Sequence, residues 1–374
     1  MTARSFELGG LDGANPLGFL AGVGVLVTLT WKGEREARLR WVRRHTWVPE
    51  LEGVSAASES HLARLLADAL RGRATSEDAR RELEAARKAM EAAKTEVKKK
   101  RQDLKQRRLA RSERAQEEER KLRPIEEELR TRRAEYLEAL RAAVPRSELA
   151  LGKRVEDATA EEYRELVDGV VARSDPANRD ELDLLAALAS DACVERGRLQ
   201  PTPFEFTRGS GHQSFLEDVR KLVGCVTEER VLRCLFEPWD YRDEGLSLRW
   251  DPVEDRRYAL LDRNPSDERA RTVWMANLLG YHALAVFTTA PVGGRLAAAG
   301  WDRNARSFTW PLWQVPVGVD IVRSLVHLRE LTVEGPDALV LRERGIIAVY
   351  RAERVEVGQG RNRKINFSPA RGIA

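Results

Sequence analysis

The longest pattern of apolar and polar positions covers residues 75–144, where Lys, Arg and Glu are dense and Tyr136 is the one aromatic residue. Apolar residues recur there every three or four positions, which predicts two helical arms, each with one narrow apolar seam that needs a partner helix. A single helix of this length would extend about 100 Å. We therefore expect the chain to reverse near Arg111 or Ser112 and to form an antiparallel coiled-coil hairpin. The seam residues are Leu83, Ala86, Met90, Ala93, Val97 and Leu104 in the first arm, and Leu122, Ile125, Leu129 and Tyr136 in the second.

Pro124 limits where the second arm begins. Proline inside a helix removes a hydrogen bond and clashes with the preceding turn, whereas it is tolerated in the first turn. The second arm therefore either kinks at Pro124 or starts there. On either reading, the tip of the hairpin lies between Arg108 and Arg123.

Outside the hairpin, the pattern predicts an α+β fold, a globular mixed body into which the hairpin is inserted. About 300 residues remain for this body, and 42% of the whole chain is hydrophobic, so a sizeable core is expected. The expected segments are an N-terminal α/β part (1–74), the hairpin (75–144), a helical segment (145–200), a C-terminal α+β part (201–358) and a basic tail (359–374).

Local signals predict the elements of the body. Asn15 and Pro16 are a cap and a first-turn proline for an apolar helix, and Thr159 with Glu162 is a capping box. Further helices are expected over residues 58–70, 180–194, 214–223, 271–281 and 317–331. Strands are expected over residues 39–42, 46–51, 246–250, 257–262, 283–289, 294–301 and 306–313, with a final hairpin of residues 338–342 and 346–357 about Gly345.

Positive charge is concentrated near the presumed tip. Residues 94–114 hold ten Lys or Arg against three acids, although the net charge of the whole chain is only +4. Two interpretations stay open: a solvated face of a coiled coil, or a surface that contacts nucleic-acid phosphates. The candidate binding residues are Lys98, Lys99, Lys100, Arg101, Lys105, Arg107, Arg108 and Arg111.

A second candidate is the irregular segment of residues 203–213, which precedes a predicted helix. Its glycines would let backbone N–H groups approach a phosphate at a helix start, and an ordinary turn and cap is the other interpretation. The candidate residues here are Arg208, Gly209, Ser210, Gly211 and His212. The basic run of residues 360–364 is either a flexible terminus or a further phosphate contact.

The residue types that carry catalysis or metals give no positive signal. Three Cys without a Cys-x-x-Cys pair and five scattered His suggest neither a disulfide framework nor a zinc site. Motifs of metalloproteases, serine hydrolases and phosphate-binding loops are absent. We therefore expect no enzyme, catalytic residue, metal or cofactor.

Two features bear on localisation. Three reduced cysteines fit a cytoplasmic protein, and an apolar run of 16 residues from Pro16 is too short to span a membrane.

Three stretches together resemble one protein family. They are residues 10–20 (GLDGANPLGFL), 206–213 (FTRGSGHQ) and 308–313 (FTWPLW), and residues 251–252 and 256–260 fit the same impression. The set resembles the large-subunit-like proteins encoded with type I CRISPR effector complexes, in particular the I-G group, formerly called I-U. The resemblance covers most of both globular halves but not the hairpin.

The resemblance implies a non-catalytic member of an RNA-guided antiviral surveillance complex. In such a complex, guide pairing reads the sequence, while protein contacts a short flanking DNA motif and the displaced strand. The implied partners are subunits that carry guide RNA, the target DNA and a separate helicase-nuclease that would cut it. No residue-level role follows from the resemblance.

Two other functions stay open. The hairpin seam could bind a protein in a coiled-coil scaffold or adaptor, in which case Met90, Val97 and Leu129 would matter most. The other open function is an enzyme with an unrecognised site. A metal-dependent cleavage assay would test it.

Overall fold

The computed structural model describes residues 5–107, 111–175, 179–207, 213–254, 271–333, 335–357 and 364–374. Helices account for 51% of these residues and strands for 17%, so the expected mixture of helix and strand is confirmed. The chain divides into two compact units. The body comprises Met1–Gly72 and Lys153–Ala374, and the inserted unit comprises Arg73–Gly152.

The α-helices of the described residues follow one another along the chain. They are α1 (Pro16–Trp31), α2 (Glu59–Leu70), α3 (Glu77–Gln106), α4 (Arg111–Glu117), α5 (Arg123–Ala143), α6 (Ala160–Val171), α7 (Asp180–Leu188), α8 (Phe215–Gly224), α9 (Glu228–Phe236), α10 (Trp274–Ala283), α11 (Val319–Val326) and α12 (Ala338–Glu343).

The strands form small antiparallel sheets. They are β1 (Phe6–Glu7), β2 (Arg38–Arg43), β3 (Trp47–Glu52), β4 (Val194–Glu195), β5 (Arg198–Leu199), β6 (Asp243–Glu244), β7 (Arg271–Thr272), β8 (Thr289–Val292), β9 (Arg295–Ala298), β10 (Ser307–Trp313), β11 (Ile346–Val357), β12 (Lys364–Phe367) and β13 (Arg371–Gly372). One sheet has the order β1-β3-β2, and another has the order β10-β11-β12 with β13 also paired to β11.

Helix α1 lies at the centre of the body. The Oδ1 atom of Asn15 accepts hydrogen bonds from the backbone N–H groups of Leu17 (2.8 Å) and Gly18 (3.2 Å), which confirms the predicted cap. The helix is apolar on every side, which is typical of a helix enclosed by other elements, and its residues from Pro16 to Leu29 are all buried. Among the described helices, none combines the length and the apolar character needed to cross a membrane.

A cluster of aromatic side chains joins α1 to the two larger sheets. Phe19 stacks on Trp41 of β2 and on Trp310 of β10, with ring centroids 5.7 Å and 5.8 Å apart. Trp310 also donates from Nε1 to the carbonyl of Gly13 (2.8 Å). The cluster extends through Phe204, Phe206, Phe287, Trp301, Phe308, Trp313 and Phe367. The large rings therefore hold together elements that are far apart in sequence.

The predicted strand at residues 246–250 is wrong. Leu246 and Arg249 have backbone φ angles of +44° and +65°, which an extended strand does not adopt. Side chains hold the segment instead: the N–H of Leu248 donates to Asn277 Oδ1 (2.8 Å), and Trp250 Nε1 donates to the carbonyl of Phe204 (3.0 Å). The strand expected at residues 257–262 lies outside the described residues.

Two further strands were predicted where the structure has helix. Ala283 is the last residue of α10, and Leu284–Val286 form a 3₁₀ turn before β8. The strand prediction failed here because a short apolar run fits a buried helix as well as a strand. Residues 338–342 belong to α12, whose cap is Asp337 Oδ1, bonded to the N–H of Leu339 (2.9 Å). The expected hairpin about Gly345 is therefore wrong, and β11 pairs with the distant β10.

The helices expected over residues 180–194 and 317–331 are shorter than predicted. They end at Leu188 and Val326.

The inserted unit consists mainly of α3 and α5, which pack side by side. Ser76 caps α3 by accepting from the N–H of Ala79 (3.1 Å). A π-helical turn (Glu118–Leu122) joins α4 directly to α5, so the backbone is helical from Arg111 to Ala143 and Pro124 follows the π-helical turn instead of starting the second arm. The apolar cluster between the helices consists of Val97, Leu104 and Leu122, with Ile125 and Leu129 packed against it.

Candidate nucleic-acid interface

Three of the predicted cationic residues form what we call the lysine cluster: Lys98, Lys99 and Lys105 of α3. All three side chains are exposed, and none forms an ion pair with an acid among the described residues. Lys98 and Lys105 are seven residues apart, so they lie on one face of α3 about 10 Å apart along its axis. Unpaired ammonium groups on a rigid helix keep their full charge for an external anion.

The other described candidates on α3 are engaged within the inserted unit. Arg101 forms an ion pair with Glu126 of α5, with 2.7 Å between its Nη2 and the carboxylate Oε1. Arg107 forms ion pairs with Asp103 (3.2 Å) and Glu117 (3.8 Å). Lys100 lies between the seam residues Val97 and Leu104 at the same three- and four-residue spacing, and it is half-buried. Arg101 and Arg107 are exposed but their charges are already paired, and Lys100 is partly covered, so these three residues attract phosphate less than the lysine cluster does.

The acids of α5 and of the π-helical turn offset much of the cationic charge. Residues 73–152 hold 23 Lys and Arg against 17 Asp and Glu, a net charge of +6. A groove of about 700 Å³ in this unit is lined by both acidic and basic side chains, so it is not a purely cationic binding surface. Its charged lining residues are Arg101, Lys105, Glu118, Glu119, Arg123, Glu126, Glu127 and Arg130. Lys98 and Lys99 do not line this groove.

Several predicted site residues fall outside the part of the chain that can be described. Arg108 lies there, and so does the whole segment of Arg208, Gly209, Ser210, Gly211 and His212. The backbone of Arg111 begins α4. The structure therefore assembles the lysine cluster on α3 but tests neither Arg108 nor the Gly-rich segment.

Arg249 is a residue that sequence reasoning missed beside the Gly-rich segment. Its Nε donates to Gln213 Oε1 (2.9 Å), and its Nη1 donates to Asn366 Oδ1 (3.3 Å), although the arginine is only 8% exposed. One buried guanidinium thus holds the residue that follows His212 and a residue of β12. Nothing in the sequence pattern distinguishes this arginine, because its partners are 36 and 117 residues away.

Asp251 forms a second buried polar centre. Its Oδ1 accepts from Asn15 Nδ2 and from the N–H of Val253, and its Oδ2 accepts from the hydroxyl of Tyr241, each at 3.1 Å. Burial raises the pKa of the Asp251 carboxyl above its ordinary value of 3.8. The network joins the start of α1 to the stretch at residues 251–252.

The described residues show no cluster of three or more His, Cys, Asp or Glu that could hold a metal ion. A comparison with protein-family models and a comparison with curated proteins both return no match to this chain.

Proposed function

We propose that this chain is a non-catalytic nucleic-acid-binding subunit of a cytoplasmic, RNA-guided CRISPR surveillance complex. In this proposal it contacts target DNA, at a flanking motif or on the displaced strand, and it docks on subunits that carry guide RNA. A separate helicase-nuclease cuts the DNA. The observation that carries the nucleic-acid part is the lysine cluster, exposed and unpaired while neighbouring arginines are neutralised. The CRISPR assignment rests on the sequence resemblance.

The proposal includes a finer description of the fold: an α+β body with an inserted antiparallel coiled-coil hairpin made by α3 and α5. Two contacts support opposite helix directions. Near the far end, Arg101 of α3 meets Glu126 of α5. Just before α3 and just after α5, the N–H of Arg73 donates to the carbonyl of Pro145 (3.0 Å). The lysine cluster lies on α3 of this hairpin, and the Gly-rich segment at residues 208–212 remains a proposed second contact.

Neutralising the lysine cluster is expected to weaken DNA binding and its salt dependence together. Each phosphate neutralised on duplex DNA adds about 0.9 to the slope of log affinity against log salt. If each lysine meets one phosphate, replacing Lys98, Lys99 and Lys105 with glutamine lowers the slope by about 2.7 and the affinity by about 100-fold near 0.15 M salt. The measurement is a fluorescence-anisotropy titration at several salt concentrations.

A matched control separates local contact from overall charge. Arg81, Arg87 and Lys88 also lie on α3, but each pairs with an acid of the same helix. Replacing these three with glutamine changes the net charge by the same amount and should leave the slope within about one unit of wild type. Equal slopes for the two triple variants would contradict a binding role for the lysine cluster.

Purification from the native host distinguishes the proposed complex from the scaffold alternative. We expect the tagged chain to elute at moderate salt with guide RNA and several subunits. One protein partner without RNA would favour a scaffold or adaptor. Because Val97 and Leu129 already pack inside the inserted unit, a protein that binds this seam would have to separate α5 from α3.

A further inference from the structure

The end of the β2–β3 hairpin carries an exposed arginine over a tryptophan ring. Arg43 and Trp47 are cross-strand partners, the last pair before the turn. The guanidinium carbon of Arg43 lies 5.2 Å from the centre of the Trp47 ring, which is within cation–π range. Arg43 is exposed and Trp47 is half-buried. The guanidinium is therefore accessible from solvent while the ring supports it from beneath.

The position of the Trp47 ring is fixed by the core of the body. Its Nε1 donates to the hydroxyl of Tyr350 (2.9 Å), and its carbonyl accepts from the N–H of Gly13 (2.7 Å). Tyr350 in turn stacks on the fully buried Trp310, with ring centroids 6.1 Å apart and planes 23° apart. Arg43 thus lies over a ring that one hydrogen bond, through Tyr350, and one ring stack, on Trp310, connect to the core.

The charge of Arg43 is not neutralised by the acids of its own sheet. Glu7 pairs with Arg44 (3.0 Å), and Glu50 pairs with Arg40 (2.9 Å). Among the described residues, Arg43 has no acidic partner, and the Tyr350 hydroxyl has no acceptor for its proton. The surface therefore offers a supported planar cation beside a hydroxyl donor.

We propose that Arg43, Trp47 and Tyr350 form a docking surface for single-stranded nucleic acid, resting on the nucleic-acid binding proposed above. One unpaired base stacks over the Arg43 guanidinium, and the Tyr350 hydroxyl donates to the adjoining sugar-phosphate backbone. Bases stack on arginine planes and aromatic rings only when their faces are exposed, as in single strands. An acidic protein would pair with the edge of the Arg43 guanidinium and leave its outer face unused, whereas a base stacks on that face.

Substituting Arg43 with lysine tests the stacking separately from the charge. The probes are a 12-nucleotide single strand of adenines and an abasic strand of the same length and charge, titrated against the full chain. Base stacking contributes about 5-fold or more in affinity per base. R43K should weaken adenine-strand binding by about that factor and leave abasic-strand binding unchanged. R303K is the matched control, because Arg303 is exposed and has no described partner.

The other outcomes separate this proposal from the proposed function. If R43K binds both strands as wild type does while the triple glutamine variant of the lysine cluster is weakened, the stacking surface is refuted and the proposed function stands. If neither variant changes binding to the single strands or to duplex DNA, both fail. If R43A abolishes binding of a poly-glutamate peptide but not of the adenine strand, the surface binds protein. Unchanged melting temperatures establish that each variant is folded.

Discussion

Replacing Gly24 with alanine is expected to lower the free energy of unfolding by about 3 kcal/mol. A Cβ at this position would lie 1.9 Å from the carbonyl oxygen of Leu279 in α10. The obstacle is backbone rather than a flexible side chain, and α1 is buried on all sides, so neither helix can move aside without disturbing the core. Overpacking usually costs about 1–3 kcal/mol and occasionally more. Because the obstacle is backbone at 1.9 Å, we take a cost of about 4 kcal/mol, of which the roughly 1 kcal/mol that alanine gains over glycine in a helix offsets a part.

Gly169 provides the matched control for the Gly24 variant. It lies on the exposed face of α6, where the nearest atom to a built Cβ is Arg173 Nη1 at 4.0 Å. Alanine there should stabilise the protein by up to about 1 kcal/mol. Thermal melting should therefore show G24A about 4–5 °C below wild type and G169A up to about 2 °C above it. A G24A melting temperature equal to that of wild type would mean that α1 and α10 are not in such close contact.

Replacing Asp251 with alanine is the second change with a large expected effect. The variant removes the common acceptor of Asn15, Tyr241 and Val253 inside the body, and a buried donor left without its acceptor costs about 1–3 kcal/mol. We expect a loss of about 3–5 kcal/mol in unfolding free energy, measured by chemical denaturation. D251N is the matched variant: its carbonyl oxygen can accept from Asn15 and Val253, while the Tyr241 hydroxyl accepts from its amide.

The pH dependence of stability distinguishes the acid from the amide. Because the folded pKa of Asp251 is raised above 3.8, the folded state holds its proton more tightly than the unfolded chain. The contribution of Asp251 to the free energy of unfolding therefore falls as the pH rises from about its pKa in the unfolded chain through its pKa in the folded protein. D251N should lack that decline, so its stability relative to wild type should increase with pH across this window. A relative increase for wild type instead would show that the buried carboxylate is stabilised as an ion.

The candidate interface could be predicted only in part from the sequence. The density of Lys and Arg between residues 94 and 114 is a local property, and so is the 3,4 seam that makes the stretch helical. Which cations stay unpaired depends on the neighbouring helix, since Glu126 of α5 occupies Arg101. The lysine cluster therefore consists of predicted cations that stay exposed and unpaired once α3 and α5 have packed together.

The sequence by itself determined the features whose causes lie within a few residues. The cap at Asn15, the capping box of Thr159 and Glu162, the short β2–β3 hairpin and the helical character of the inserted unit all follow from such local signals. A cap, a tight turn and an apolar seam each depend on residues that lie close together in the chain, so the sequence predicts them directly.

Tertiary structure decided the features that join distant residues. Strand β11 pairs with β10 and not with residues 338–342, which were expected to be its hairpin partner. Residues 246–250 are held by the side chains of Asn277 and Trp250 instead of by a strand ladder. Arg249 and Asp251 acquire their roles only when the folded core encloses them, because desolvation makes each hydrogen bond obligatory. Their partners lie up to 236 residues away, beyond the reach of any local pattern.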